Sequence, residues 1–590
     1  MNHNVTKVLI ANRGEIAARI ARGARAEGIR SVGVYADSDF NAGFLELVDE
    51  AYALDGETPA ETYLDAEKLI AIARRSGANA IHPGYGFLSE NADFARRVAA
   101  EGLIWIGPSG EVIDRLGDKV SARAAAAAAD APLLPSTDGY VESAEQVAAF
   151  GAEHGYPIAI KAVFGGGGRG LRVVRSENEV ESQLRSARDE ARTAFGREEC
   201  FVEVFLDRPR HVETQVIADE HGNVVVVGTR DCSLQRRNQK VIEEAPAPYL
   251  DAGIRADLVE GSRRIFREVG YVGAGTVEFL VSPDGRSTFL EVNTRLQVEH
   301  PVSEEAFGID LVREQFRIAR GERLSLDADP EPIGHAIEFR INAEDPLSGF
   351  LPSQGRVTAW IAPEGEGVRL DTDAGSGTQI SGTFDSLLAK LIVTGRTREE
   401  ALERARRALA EYHVHGIATL IPFHRSIVET PAFTGYEGGF EVYTQWIENE
   451  WTPEGVVADS GEIASPAPLA LDTFVIEVDG RRATVRANPG AFAVEAAEAV
   501  PQRPRAKRRR AVAGNTDSGV FVAPMRGEVT RVDVVPGDAV GVGDVLLVIE
   551  AMKMELPIRA TAASTVREVK VAAGQPVTSG DLLVLLEGDG

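Results

Sequence analysis

The sequence predicts a multidomain protein of α/β and α+β architecture with a small all-β domain near its C-terminal end. Three stretches carry that prediction. Residues 7–36 read strand–helix–strand: Lys7–Ala11 is apolar, Ile16, Ala17, Ile20 and Ala24 recur at helical spacing up to Gly28, and Ser31–Tyr35 is the next strand. Thr276–Leu280, Asp284-Gly285 and Phe289–His300 read as a hairpin. At the far end, Val529, Val532, Val534, Gly537, Val540, Gly543, Asp544, Val545–Val548 and Glu550 recur at an offset of 37 as Val566, Val569, Val571, Gly574, Val577, Gly580, Asp581, Leu582–Leu585 and Glu587. Two meanders of equal length argue for a flattened barrel with a pseudo-twofold axis.

Composition narrows the function. At 590 residues and 44% apolar content, the chain exceeds one domain and can fill several cores. A net charge of −27 argues against general nucleic-acid binding. Two cysteines, Cys200 and Cys232, make no disulfide framework and fit a reducing compartment. The N-terminus lacks the pattern of a signal or transit peptide, and no apolar run approaches membrane-spanning length. The expectation is a cytoplasmic protein without membrane association.

Taken in order, a doubly wound sheet is expected first, with a further strand that runs into a Gly-rich turn within Ala80–Glu90. No G-x-G-x-x-G follows the first strand, so dinucleotide binding is unsupported. Residues 156–174 place Lys161 on an apolar strand, then Gly165, Gly166, Gly167 and Gly168, then a returning strand. Such glycines let backbone N–H groups approach phosphates and suit a moving lid. With the lysine ahead of the glycines this is no Walker A loop. Arg230, Arg236, Arg237 and Lys240 crowd one short stretch of an acidic protein and call for an anionic partner.

The hairpin is the centre of the reading. With Asp284 and Gly285 as central turn residues, Glu278 falls opposite Glu291, a repulsive pair that a hard divalent cation would relieve. Extended chain over Phe289–His300 places Glu291, Asn293, Arg295, Gln297 and Glu299 on one face. Eight such steps cover about 26 Å, too long for one site, so a bend near Arg295 is expected. Further on, Glu338 and Arg340 share one face of a strand, and His413 and His415 without a third ligand are assigned no metal. Thr473–Val478 and Arg481–Arg486 read as a hairpin within a docking region, followed by a basic linker that holds six cationic residues between 503 and 510.

ANRGEIA at 11–17 and HPGYGFLSEN at 82–91 resemble the opening of biotin carboxylases, and the segments just described extend the likeness. The resemblance implies a Rossmann-like pre-ATP-grasp domain at 1–118, an ATP-grasp domain at 119–330 and a biotin carboxylase C-terminal domain at 331–446. A docking region and linker at 447–515 and a biotinyl domain at 519–588 complete the expected order. Ala551–Glu555 resembles the biotinyl signature and makes Lys553 the expected biotinylation site. The same resemblance implies nucleotide contacts from Lys119, Lys161, Glu203, Leu206, His211 and Gln235. It implies Mg²⁺ (or Mn²⁺) on Glu278, Glu291 and Asn293, and bicarbonate held by Lys240, Arg295, Gln297 and the Val298 backbone. Glu299 is then the base, and Arg340 meets the biotin ureido oxygen. Asn238 departs from the family, which commonly has His there. Cys232 is expected to be structural.

The layout resembles the α subunit of a bacterial, actinobacterial-type acyl-CoA carboxylase acting on acetyl- or propionyl-CoA. The cofactors implied are biotin and ATP with Mg²⁺, and bicarbonate is the substrate. A carboxyltransferase β subunit, biotin protein ligase and other copies of the chain are the implied partners. A pyruvate or methylcrotonoyl-CoA carboxylase subunit, and a carrier scaffold with a dead ATP site, are the alternatives.

Overall fold

The computed structural model describes residues 4–137, 139–162, 171–195, 197–436, 439–457, 472–478, 481–487, 519–551 and 554–587. The expected lid glycines Gly165–Gly168, the basic run at 503–510 and Lys553 lie outside the described residues.

β1 (Lys7–Ile10), β2 (Arg30–Tyr35), β3 (Glu50–Ala53), β4 (Ala80–His82) and β5 (Ile104–Trp105) form a parallel sheet in the order β3-β2-β1-β4-β5. Helix α1 (Gly14–Ala26) connects β1 to β2 and buries Ile16, Ala17, Ile20 and Ala24, the residues at helical spacing. The hairpin of Asp472–Val478 and Arg481–Ala487 forms as expected, with Val478 paired to Arg481. It does not stand apart as a docking unit. It extends this N-terminal sheet, pairing Arg481 with Tyr52 at the β3 edge, and Arg482 Nε donates to the Phe40 carbonyl at 3.1 Å. An exposed edge offers unpaired backbone groups that a hairpin satisfies.

β6 (Ile158–Ala162), β7 (Leu171–Val174) and β8 (Cys200–Val204) make a small antiparallel sheet with β6 in the middle. The largest sheet holds the site. It comprises β9 (Arg210–Ala218), β10 (Val224–Arg236), β11 (Gln239–Ala245), β12 (Gly273–Val281), β13 (Ser287–Asn293) and β14 (His335–Asn342), with strands Leu387–Gly395 and Val368–Thr372. Their spatial order is β13-β12-β9-β10-β11-β14, then Leu387–Gly395 and Val368–Thr372, all antiparallel. One sheet therefore continues across residue 330. Helix Ala252–Val269 packs Leu258, Ile265 and Phe266 on one face, against Val212, Val216 and Val277. Alternation along the strands sends the polar residues to the other face.

The β12–β13 hairpin differs from expectation in two ways that compensate. The Ser282 N–H donates to the Arg286 carbonyl at 2.8 Å, so the turn holds three residues, with Gly285 at φ 86°, and the register is displaced by one. A bulge between Glu278 and Phe279 on one strand and Glu291 and Phe289 on the other then leaves Leu290 unpaired and restores Glu278 opposite Glu291. The extended reading of 289–300 holds only to Asn293; beyond it the chain turns and enters the helix His300–Phe307. The bend falls where length demanded it.

In the C-terminal unit the repeat is realised strand for strand. Gly527–Val532 corresponds to Ser564–Val569, Ala539–Val540 to Pro576–Val577, and Val545–Ala551 to Leu582–Leu586. Two four-stranded sheets result, each taking strands from both halves. Even single hydrogen bonds repeat: Gly537 N–H to Val566 O and Gly574 N–H to Val529 O are both 2.7 Å. Ala551 pairs with Met554, on either side of the expected modification site. No helix among the described residues is long and apolar enough to cross a membrane.

Candidate active site

Four neighbouring strands put charges in one cross-strand row: Arg230 on β10, Glu213 on β9, Glu278 on β12 and Glu291 on β13. Adjacent strands place such side chains about 5 Å apart. Arg230 is fully buried and neutralises the row from one end. Its guanidinium donates to Glu213 at 2.5 Å, Gln215 at 2.6 Å, Gln297 at 2.7 Å, Ser303 at 3.0 Å and Thr276 at 3.1 Å. All five of its N–H groups thus have acceptors, which is what makes a buried guanidinium tolerable.

Lys240, at the start of β11, is the second hub. Its ammonium reaches Glu213 at 2.6 Å, Glu278 at 2.9 Å and Glu299 at 2.5 Å. Burial would lower its pKa, but these three carboxylates hold it well above the usual lysine range. Glu278 also meets His211 at 2.9 Å and accepts from the amides of Asn293 and Gln297, each at 2.8 Å. Burial opposes its charge, yet Lys240 and His211 hold its pKa well below the carboxylate range. His211 is raised in return, Glu278 outweighing burial.

Glu299 ends the irregular segment after β13. It takes Lys240 on one oxygen and Arg340 Nη2 on the other, at 2.9 Å. Burial would raise its pKa; Lys240, Arg340 and Arg230 outweigh burial and depress it. Arg340, on β14, gives its Nε to Glu243 at 2.6 Å. Lys390 fixes the backbone here by donating to the Val298 carbonyl at 3.0 Å. From the N-terminal unit, Glu90 accepts from Arg295 Nε at 2.9 Å and from the Thr294 N–H at 3.2 Å. Residues 294–299 are thus clamped from both sides by distant parts of the chain.

Glu291 and Glu278 suit a divalent cation. Glu291 reaches solvent, but the surrounding protein and the facing Glu278 push its carboxyl pKa up, a repulsion that Mg²⁺ removes with hard oxygen ligands. Asn293 stands in the next like-facing position, with its amide oxygen now taken by Arg295 at 2.9 Å. Lys119 opens the helix Lys119–Ala128, exposed and near enough to Glu291 to lower its pKa. Lys161 on β6 forms an ion pair with Glu203 on β8. Leu206 is buried nearby in the chain, and Gln235 donates to the His211 ring at 2.8 Å.

Family models match along nearly the whole length. The biotin carboxylase N-terminal domain matches residues 4–113 and the carbamoyl-phosphate synthase L chain ATP-binding domain matches 118–327. The biotin carboxylase C-terminal domain matches 338–449 and the biotin-requiring enzyme model 519–586. The chain is 54% identical, over 98% of both sequences, to a biotin-dependent acyl-coenzyme A carboxylase alpha3 subunit of Mycobacterium leprae. The chain belongs to the biotin-dependent acyl-CoA carboxylase α subunits.

Solved biotin carboxylases agree with this family. A Campylobacter jejuni biotin carboxylase with a β,γ-ATP ligand shares 40% identity and a TM-score of 0.70, covering 76% of this chain and 99% of its own. The biotin carboxylase domain of a Hydrogenobacter thermophilus 2-oxoglutarate carboxylase, solved with MgADP and bicarbonate, shares 41% identity and a TM-score of 0.69, over 75% and 97%. A Ruegeria pomeroyi propionyl-CoA carboxylase alpha chain is 35% identical over 98% of this chain and its full length. This α subunit is therefore an ATP-dependent, biotin-dependent carboxylase that works with a carboxyltransferase partner.

Several residues at the centre of the carboxylase site had no role in the sequence reading. The basic stretch calls for anions, and the protein supplies them itself: Glu213 for Arg230, three carboxylates for Lys240. Cys232 was expected to be structural; its thiol lies with Glu213 and Glu299 inside the cluster, and burial pushes its pKa well up. The signal for Glu213 was present, because His211, Glu213 and Gln215 recur at every second position of one strand. Lys390 likewise stands alone in LLAKLIV. Asn238, the departure from the family, sits with Arg237 in a two-residue turn between paired Arg236 and Gln239, both at positive φ of 50° and 63°. Asn tolerates that backbone better than other side chains do.

Proposed function

We propose that this α subunit loads the carboxyl of bicarbonate onto biotin carried by Lys553 and delivers it to acetyl- or propionyl-CoA on a separate β subunit. The product would supply malonyl- or methylmalonyl-CoA for fatty acid synthesis. Biotin protein ligase attaches the biotin, copies of the chain associate within the complex, and the reaction takes place in the cytoplasm. The single observation that carries the reading is the continuous chain of contacts Glu278–Lys240–Glu299–Arg340, which joins the carboxylate facing Glu291 to a base and a guanidinium.

In this reading Lys119, Lys161 and Gly165–Gly168 hold the phosphates, while Glu203, Leu206, His211 and Gln235 surround the nucleoside. Glu278, Glu291 and Asn293 hold Mg²⁺, which supplies charge neutralisation between the phosphates. Bicarbonate enters among Lys240, Arg295, Gln297 and the Val298 backbone. Its O–H faces Glu299, which stays ionised at neutral pH because Lys240 and Arg340 depress its pKa, and so can accept the proton. Lys240, once it turns to the bicarbonate, raises the basicity of Glu299 by leaving it. Biotin, when bound, would supply the ureido nitrogen that receives the carboxyl, and Arg340 would hold its ureido oxygen. Positioning and charge are the main contributions a protein makes to phosphoryl transfer, and this site concentrates both.

The test is ADP release by the purified chain with Mg²⁺, ATP and bicarbonate, with and without free biotin. Stimulation by biotin is the expected result; none, in folded protein, would refute the reading. Adding a candidate carboxyltransferase and comparing acetyl-, propionyl- and methylcrotonoyl-CoA or pyruvate then identifies the acceptor.

A further inference from the structure

On the face that bears the site, the large sheet carries two carboxyls that the chemistry above leaves unused. Glu243 on β11 and Glu338 on β14 stand directly opposite one another in the antiparallel ladder, both at 0% exposure. Glu243 Oε1 accepts from Arg340 Nε at 2.6 Å. Its Oε2 and both oxygens of Glu338 meet no hydrogen-bond donor among the described residues. A buried carboxylate without a donor is costly, and two ionised carboxylates side by side are costlier. One proton removes both penalties, since one carboxyl becomes a donor and the other its acceptor.

The groups facing this pair leave a proton as the fitting occupant. Lys390, from strand Leu387–Gly395, is held by Glu15 of α1 and by the Val298 carbonyl, each at 3.0 Å. The Tyr85 hydroxyl, from the turn after β4, is turned to Glu15 as well. Asp371, on the next strand, is taken by Arg369 at 2.7 Å. His300, on the overlying helix, is kept neutral by burial and by Lys390. Arg340 and Lys390 repel a metal cation, whereas a shared proton adds no further charge centre. Burial, opposed by Lys390 and aided by Glu243, lifts the Glu338 pKa well above the carboxylate range. Burial, opposed by Arg340 and aided by Glu299, lifts Glu243 to about 7.

We propose that Glu338 and Glu243 share one proton and are positioning residues for Arg340, keeping its guanidinium divided between Glu243 and Glu299 and free to meet biotin. This rests on the reading of Arg340 given above. When the proton leaves, a second carboxylate appears two residues from Arg340 on the same strand face. It draws the guanidinium away from Glu299 and from the ureido oxygen. The alkaline fall of the biotin-dependent rate then reports this pair.

The experiment uses the full chain. Infrared spectra in D₂O, with ¹³C-labelled glutamate for assignment, read protonated carboxyl groups against pH. ADP release with free biotin as acceptor gives kcat over the same range. Wild type is expected to show a protonated glutamic acid at neutral pH that disappears as kcat falls. E338Q lacks a proton to lose, so the band is absent and the alkaline limb moves up by roughly one pH unit or more, a tenfold change in proton activity. A wild-type chain without the neutral-pH band overturns the proposal, and this arm needs no variant to fold. An E338Q limb that coincides with wild type also overturns it. Absence of biotin-stimulated ADP release in wild type, with the band present, overturns the functional reading and the positioning role that rests on it.

Discussion

The catalytic sheet and the carrier unit are both antiparallel β structure, yet they handle charge in opposite ways. The sheet buries Glu213, Arg230, Glu243, Glu244, Glu338 and Lys390 at 1% exposure or less. Among the carrier side chains described, at 519–551 and 556–587, no polar or charged one is buried. Its core is Val529, Leu546, Leu547 and Ile549 against Val566, Leu583, Val584 and Leu586. In the function proposed above, one unit would hold anions and a cation in a dry place, and the other would only present a lysine. A buried charge network is useful for chemistry and weak as a source of stability, whereas an aliphatic core is the reverse.

The largest expected effect lies in the sheet. Glu299→Ala should lower biotin-stimulated ADP release by about 10²–10⁴-fold, the range for losing a positioned base. Activity within twofold of wild type would remove Glu299 as the base of the reaction. Next is Arg230→Met, which leaves Glu213 buried and short of a partner. A loss of roughly 3–5 kcal/mol is expected, read as an early calorimetric transition in the carboxylase part while the carrier transition stays in place.

In the carrier the symmetric pair Leu546→Ala and Leu583→Ala should each cost about 2–5 kcal/mol, and the two costs should agree, because both side chains are fully buried at equivalent positions. Unequal costs would break the pseudo-twofold account. ADP release with free biotin should be unaltered in both.

The pH dependence separates the two units again. Arg398 and His335 bind Glu244 at 2.7 Å each, and although burial opposes the charge, they hold its pKa down to about 2. A depressed carboxylate stabilises the fold above its unfolded pKa of about 4.3, and that stability is lost as pH falls toward the folded value. The difference amounts to roughly 3 kcal/mol. Wild type should therefore lose stability in the carboxylase part between about pH 4.3 and 2, and Glu244→Gln should flatten this slope. The smallest effect belongs to Gly537→Ala and Gly574→Ala. Both glycines have positive φ, 100° and 82°, with open space where a Cβ would go, so only backbone strain of about 1–2 kcal/mol is expected for each.

The two units also differ in how far they could be read from residues alone. The carrier is local: its repeat, its turn glycines and its core positions all follow from one offset in the sequence. The site was legible in part. Glu278 facing Glu291 came out correctly, but through a three-residue turn and a bulge at Leu290 that no sequence pattern announced. Glu213 and Lys390 were visible as charged residues beside apolar neighbours, without any indication of what they meet, and nothing in the sequence singled out Cys232 or Glu243.

The sequence by itself determined the order of the domains, the hairpin that sets Glu278 against Glu291 and the duplicated carrier, because these depend on periodicity and on residues close in the chain. The tertiary structure alone decided which charges neutralise which. Lys240 finds Glu278 and Glu299, and Arg340 finds Glu243, across 38, 59 and 97 residues. Such pairs are set by strand order and register across the sheet, and the low dielectric there makes each choice of partner decisive.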